Sequence, residues 1–262
     1  MKARYLFEFC DQSWVPRGAR ECLFEIMDAC NSGLRSFNAE VARTVIRLAR
    51  DNELGTIVEL GAGRAPVTTE LAKHDAAAGL RLVACDLVPN EAAYRQLAAR
   101  YPDRVFPIYT PVDITLPQPA LQRAVLVLAG VMHHIPFELR PSVIDSLSRT
   151  QSKIAVFEPL RRTWLSVFLA ALSFFPAVLL PLTFFLRPGK LRRIFWCWIV
   201  PIVPFMFAWD GVASCLRQWK AEEWQAVFDR LPDPPRVEIR RGFNSLNMFW
   251  TGTLSPQTSA PP

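Results

Sequence analysis

The side chains in this sequence that are spaced for chemistry are two acids, a pair of glycines and a pair of histidines, all near the ends of apolar runs. Glu59 interrupts Ile57, Val58 and Leu60, and Gly61 and Gly63 follow at alternate positions. That pattern is a buried strand running into a turn whose backbone must approach something closely. Pro66 suits the first position of a helix, which Thr68, Thr69, Glu70, Leu71 and Ala72 continue. Strand, glycine turn and helix in that order aim free backbone amides at the carboxyl edge of an α/β sheet, where such folds take nucleotides. Asp86 ends a strand over 80–85, 23 residues beyond Gly63, and is placed to accept hydrogen bonds from two ribose hydroxyls. His133 and His134 follow an apolar strand over 124–129. Neighbours on a turn point about 100° apart, so joint chelation of one ion is awkward, and with no third ligand in view no metal is expected. One histidine facing the site while the other caps or packs supplies an imidazole that can act as a base.

A dinucleotide fingerprint needs a glycine at the sixth position of the turn, and that position is Pro66, which has no amide proton. The stretch instead resembles motif I of the class I S-adenosylmethionine (SAM) methyltransferases, E-x-G-x-G-x-G: Glu59, Gly61 and Gly63 match, and Ala65 stands in for the last glycine. The resemblance implies a Rossmann-like α/β fold, a mainly parallel seven-stranded sheet with an antiparallel C-terminal strand pair, and SAM as cofactor. It implies that Glu59 meets the ligand's amino group; the alternative is a glycine turn capped by a glutamate. It also implies Leu87 against the adenine, Asp113 at the adenine amino group and Ile114 on the ring. The segment from Gly130 to Pro136 resembles the motif IV region of small-molecule methyltransferases, with Gly130 at the cofactor. The likeness covers about 56–158 by motif and 220–251 by topology.

The elements that must hold these residues follow from periodicity. A helix is expected over 21–30, ended by Asn31, Ser32 and Gly33, and another over 36–50, with Ser36 as cap and Val41, Val45, Ile46 and Leu48 inward. In the resembled family such helices often cover the active site, so Tyr5, Phe7 and Trp14 either pack in the core or touch substrate. Beyond Asp86 come a helix to Arg100, a strand over 104–109 and a strand over 153–157 ended by Glu158 and Pro159. A helix over 220–231 shows Trp224, Val227, Phe228 and Leu231 on one face, and strands over 236–240 and 246–251 complete the sheet.

With 262 residues and half of them apolar, one α/β domain with additions is expected. Six cysteines without a CxxC pair read as buried thiols of a reducing compartment, and no charged leader precedes an apolar core that would be cleaved. The net charge of +6 belongs to one segment: residues 159–209 hold six basic side chains and no acid, and the rest balances at 24 against 24. Because that segment is also the most apolar, a nucleic-acid surface is not expected. Its two uncharged arms, 164–186 and 194–209, contain Pro176, Pro181, Pro201 and Pro204 and flank a basic connector, 187–193. The first arm is long enough to span a bilayer. A two-span hairpin would carry the connector across, against the positive-inside tendency, whereas an in-plane or re-entrant hairpin keeps its charges at the headgroups. A soluble lid or a dimer interface are the other readings.

The expected organisation is a helical cap (1–55), a SAM-binding core (56–158), the apolar hairpin (159–209), the rest of the core (210–254) and a disordered tail (255–262). The expected activity is methyl transfer from SAM to a hydroxyl, or another nucleophile, of a hydrophobic, membrane-associated small molecule at the cytoplasmic face of a membrane. A non-catalytic SAM-fold binding or assembly protein, and a protein or RNA methyltransferase, are the alternatives. Nothing in the sequence fixes the oligomeric state.

Overall fold

The computed structural model describes residues 1–33, 35–116, 121–183, 190–242 and 245–252. In chain order the elements are α1 (Arg17–Gly33), α2 (Arg35–Asp51), β1 (Thr56–Leu60), α3 (Pro66–Lys73), β2 (Arg81–Cys85), α4 (Glu91–Arg100), β3 (Val125–Ala129) and α5 (Arg140–Ser148). Then follow β4 (Lys153–Glu158), α6 (Trp164–Leu172), α7 (Phe174–Thr183), α8 (Lys190–Ile194), α9 (Ile202–Arg217), α10 (Ala221–Phe228), β5 (Glu238–Arg241) and β6 (Leu246–Thr251). The chain forms two compact units, Met1–Arg35 with Leu160–Lys220, and Ser36–Pro159 with Ala221–Pro262.

The second unit is built on one sheet in the order β2-β1-β3-β4-β6-β5. β1 to β4 are mutually parallel, and β6 runs antiparallel to both β4 and β5. The parallel strands are nearly continuous apolar runs because both of their faces are covered, so little alternation survives. On α2 the inward positions are Val41, Ala42, Val45, Ile46 and Ala49, at helical spacing, and they join the same core as Ile57, Leu82, Val125 and Phe157. Leu48 is only partly buried there. The helix begins at Arg35, so Ser36 lies inside it and is not its cap. α10 is anchored by buried Trp224 and Phe228, the latter edge-on to Trp250 at 5.0 Å.

The expected seventh strand is not formed as one. Residues 104–108 run beside β2, with Leu82 N–H donating to Arg104 O (2.8 Å), Phe106 N–H to Leu82 O (2.8 Å) and Ile108 N–H to Ala84 O (2.9 Å). Only the bridge between Leu82 and Val105 qualifies as β, which leaves six strands among the described residues. Pro107 lies between two residues that donate to β2, so its nitrogen faces the free edge, where a missing amide proton costs no bond to β2. The order, with this segment outside β2, is still the topology that the sequence resemblance implied.

The first unit is helical and differs from the expected boundaries. Asp210 to Arg217 do not return to the sheet; they continue α9, and Gly211 lets that helix approach α6, since a Cβ there would lie 3.3 Å from Ala170 Cβ. An extended N-terminal segment lies along α9. Phe9 and Cys10 amides donate to the Asp210 carboxylate (2.6 and 3.0 Å), and Arg217 Nε donates to Leu6 O (2.7 Å). Glu8 accepts from Ser214 Oγ (2.8 Å) and pairs with Arg217 (3.0 Å). Glu8 and Arg217 stay charged by pairing with each other, whereas Asp210 is held by backbone amides, and burial pushes its carboxyl up. Tyr5, Phe7 and Trp14 stay exposed rather than entering the core, with Phe7 beside Trp209 at 5.4 Å between ring centroids. Cys22, Cys85, Cys197 and Cys215 are buried free thiols.

The apolar arms are broken. The first divides at Ser173 into α6 and α7, and no single helix among the described residues is long and apolar enough to cross a membrane. The pair Leu191–Ile199 and Ile202–Arg217 qualifies together by length and composition but bends by 71° at its break, just before which Phe195–Ile199 is π-helical. The connector is less free than its sequence suggests. Arg192 pairs with Glu21 and Glu25 and Arg193 with Glu25, all within this unit, while Arg187 lies outside the described residues. The tail, 255–262, and Asn244 in the last loop also lie outside them.

Candidate active site

At the carboxyl edge of the sheet the expected residues form one connected run. β1 and β2 pair with Leu60 opposite Cys85, so the glycine turn begins level with the tip of β2. Ala62 N–H donates to Cys85 O (3.0 Å), and Gly63 N–H donates to Asp86 Oδ2 at 2.8 Å. The other Asp86 oxygen accepts from Val88 N–H (2.9 Å), which fixes the carboxylate over the strand end. On its far side Val112 N–H donates to Asp86 O (2.9 Å), bringing the turn with Asp113 and Ile114 alongside. Leu87 is exposed next to this carboxylate.

The two glycines serve different needs. Both have left-handed backbones, with φ of +63° at Gly61 and +53° at Gly63. A Cβ on Gly61 would lie 2.8 Å from Val131 Cγ1, so this glycine lets the β1 turn meet the segment after β3. A Cβ on Gly63 would meet nothing within 4 Å. The space over Gly63 is open, and the Asp86 carboxylate borders it; a nucleoside ribose fits that donor and acceptor set. Ala65, in the place of the last motif glycine, is also left-handed at φ +56°.

Glu59 differs from its expected role. It is buried, with Oε1 accepting from Val67 N–H (3.1 Å) and Oε2 from Thr68 N–H (2.7 Å) and Thr68 Oγ (2.6 Å). The residue preceding α3, Ala65, has no side chain that can cap, so the strand supplies the cap from below. This is the capping alternative, and it fixes the angle at which α3 leaves the glycine turn. Burial pushes the Glu59 carboxyl up to about 7 against those three bonds, which favour the anion. A carboxyl raised in the folded state stabilises fully below its unfolded value of 4.5 and loses that contribution as pH rises through about 7. Denaturant titrations are therefore expected to show the parent losing about 3 kcal/mol relative to Glu59→Gln between pH 4 and pH 8. A pH-independent gap between the two proteins would refute this.

Asp113 is partly committed to its own turn, since Oδ1 accepts from Thr115 N–H (2.9 Å) and Thr115 Oγ (2.7 Å). At the β3 tip Gly130 is left-handed, at φ +67°, and donates its amide to Phe157 O (2.7 Å). The histidine pair follows in a tight turn, Met132–His134, and does not diverge as expected. The rings lie 4.2 Å apart between centroids at 38°, because side-chain rotation on the 3-10 turn brings both to one flank. His133 Nδ1 is 2.8 Å from Glu158 Oε2, and the other Glu158 oxygen accepts from Met132 N–H at 2.8 Å. The tautomer that donates Nδ1–H to this carboxylate carries its basic lone pair on Nε2. Glu158 is the residue the sequence reading missed. Its signal was available: like Glu59 and Asp86, it is an acid at the end of an apolar strand.

No protein-family profile and no curated protein sequence matches the chain. Solved structures do. The plantazolicin methyltransferase BpumL, solved in complex with SAH, superposes with a TM-score of 0.56 at 12% identity, over 93% of this chain and 94% of its own. This chain has the class I methyltransferase fold. A putative O-methyltransferase from Nostoc punctiforme gives 0.51 at 10% identity over 95% of this chain and 64% of its own. The methyltransferase domain of bacterial CtHen1 gives 0.50 at 13% over 82% and 98%. In the methyltransferase fold a ligand takes the crevice outside the carboxyl ends of the parallel strands. That is the edge where Gly63, Asp86, the 112–114 turn and the His133–Glu158 pair are assembled.

Proposed function

We propose that the protein is a SAM-dependent methyltransferase acting on a hydroxyl, or a comparable nucleophile, of a hydrophobic small molecule associated with a membrane. The observation that carries the cofactor reading is the contact between Gly63 N–H and the Asp86 carboxylate beside open space. When bound, SAM supplies an electrophilic methyl group on a sulfonium centre. Asp86 accepts from the ribose hydroxyls, Leu87 and Ile114 cover the faces of the base, and Asp113 accepts from its amino group. His133 takes the acceptor's proton at Nε2 as the new bond forms, and Glu158 holds the ring by Nδ1 and favours the imidazolium. The protein's larger contribution is to hold the acceptor atom in line and keep water out. The plantazolicin methyltransferase, whose fold this chain shares, supports a small-molecule acceptor. The hydrophobic, membrane-associated acceptor is supported by the uncharged arms of the helical unit, which an acceptor drawn from a lipid phase would explain.

The test is transfer of radiolabelled methyl from SAM into the organic phase of a lipid extract incubated with the purified full-length protein. Label is expected in a lipid-soluble product with the parent and not with Asp86→Ala. Label that stays in the aqueous phase, or appears only on protein, would refute the acceptor class.

A further inference from the structure

The helical unit presents α6 and α7 inside out. Between residues 164 and 179 every exposed residue is apolar. Trp164, Leu165, Phe168, Leu172, Phe175 and Leu179 are between 38% and 76% exposed, at spacings that line one face of a helix. The side turned towards the rest of the unit carries the small and polar residues instead: Ser166 is buried against Thr163, Ala177 is buried, and Ala170 lies against Gly211. A helix facing water shows the opposite pattern. Small residues between helices with large apolar side chains outside is how helices pack when their surroundings are lipid.

The backbone agrees. Where the arm breaks, Ser173 Oγ donates to Ala170 O (2.6 Å); further on, within α7, Trp198 Nε1–H donates to Val178 O (2.8 Å). Thr163 Oγ caps the start of α6 by accepting from Ser166 N–H (3.1 Å). Water would satisfy such groups without help, but an apolar medium would not, so helix ends and breaks placed in it need side-chain partners. The length sets the orientation: residues 164–179 form 16 residues of apolar helix, about 24 Å, which is short of a bilayer core.

We infer that the exposed face of α6–α7 lies in the plane of one phospholipid leaflet, held by its apolar side chains and not by the basic connector. This deepens the reading given above by naming the surface from which that acceptor would be reached. The sequence alone suggested an electrostatic anchor at 187–193, but Arg192 and Arg193 are already paired with Glu21 and Glu25. The segment from Pro159 to Trp209 holds no acid that would repel a headgroup layer, so its charge permits contact without driving it. The partner is therefore an uncharged phospholipid surface as readily as an anionic one.

The test is sedimentation of the full-length protein with phosphatidylcholine vesicles, with and without 30% phosphatidylserine, at low salt and at 0.5 M salt. Binding to both compositions is expected, changing less than threefold with salt. Phe168→Glu is expected to weaken it at least tenfold, as is Leu172→Glu, because each removes a large apolar contact and inserts a charge. Both variants should keep the melting temperature and SAM affinity of the parent, so a failure here is separable from a failure of the methyltransferase reading. Three results would overturn the inference: no sedimentation with either vesicle, binding that needs phosphatidylserine and is released by salt, or a dimer in solution that Phe168→Glu dissociates.

Discussion

Calorimetry with SAM is expected to register a loss of at least about a hundredfold in affinity when Asp86 is replaced by alanine. The carboxylate uses one lone pair on each oxygen to accept from Gly63 and Val88 amides, at 2.8 and 2.9 Å, and has the others available for two ribose hydroxyls. Hydrogen bonds to a charged group contribute about 1.5–3 kcal/mol each, so losing two accounts for 3 kcal/mol or more, which is a hundredfold or beyond. The Gly63 amide also loses its acceptor, and the turn is freed to move over the space where the nucleoside would sit. Asp86→Asn keeps the size and one acceptor oxygen but no charge, and about a tenfold loss is expected of it. Asp86 is not part of the buried core, so both variants should unfold at the parent's temperature. Unchanged SAM affinity in Asp86→Ala would remove the enzyme reading and leave a methyltransferase-like fold without a nucleoside site.

What the sequence could disclose was decided by locality. β1, β2, β3 and β4 were visible because a parallel strand covered on both faces is a short apolar run, and each of the four ends on or runs straight into an acid or a glycine that marks the tip. The glycine turn and Asp86 were legible for the same reason, since their types and spacing are local facts. Side-chain direction was not. Glu59 has the identity that a ligand-binding acid would have, and only the packing of α3 onto β1 turns its carboxylate into a helix cap. Glu158 read as a strand end, because the neighbourhood that gives it meaning comes from sheet order, which sets β4 beside β3 and so beside His133. The connector misled for a related reason. Arg192 and its partner Glu21 are 171 positions apart, and nothing near either residue announces the pair, so the charge seemed free to meet a membrane. Pro107 showed the reverse: a local feature that looks like a strand breaker is harmless at a free sheet edge, since Phe106 and Ile108 still donate to β2 on either side of it.

The second large effect concerns proton removal. His133→Ala is expected to lower kcat by about 10²- to 10⁴-fold, the range a positioned general base supplies, while SAM affinity changes less than threefold because the imidazole belongs to the acceptor side of the reaction. Glu158→Gln separates orientation from chemistry. The amide can still accept one hydrogen bond, but it cannot serve both Met132 N–H and His133 Nδ1 as the carboxylate does at 2.8 Å each. Its NH₂ group also favours the opposite ring tautomer, with the proton on Nε2 where the base must be free. A fall in kcat of about 10- to 100-fold is therefore expected. The acid side of the pH–rate profile should move to lower pH, since removing a neighbouring carboxylate disfavours the imidazolium. A role in structure alone would lower the melting temperature and leave that profile in place. Equal rates in His133→Ala and the parent, with a labelled lipid as acceptor, would assign proton loss to water and reduce the histidine pair to packing.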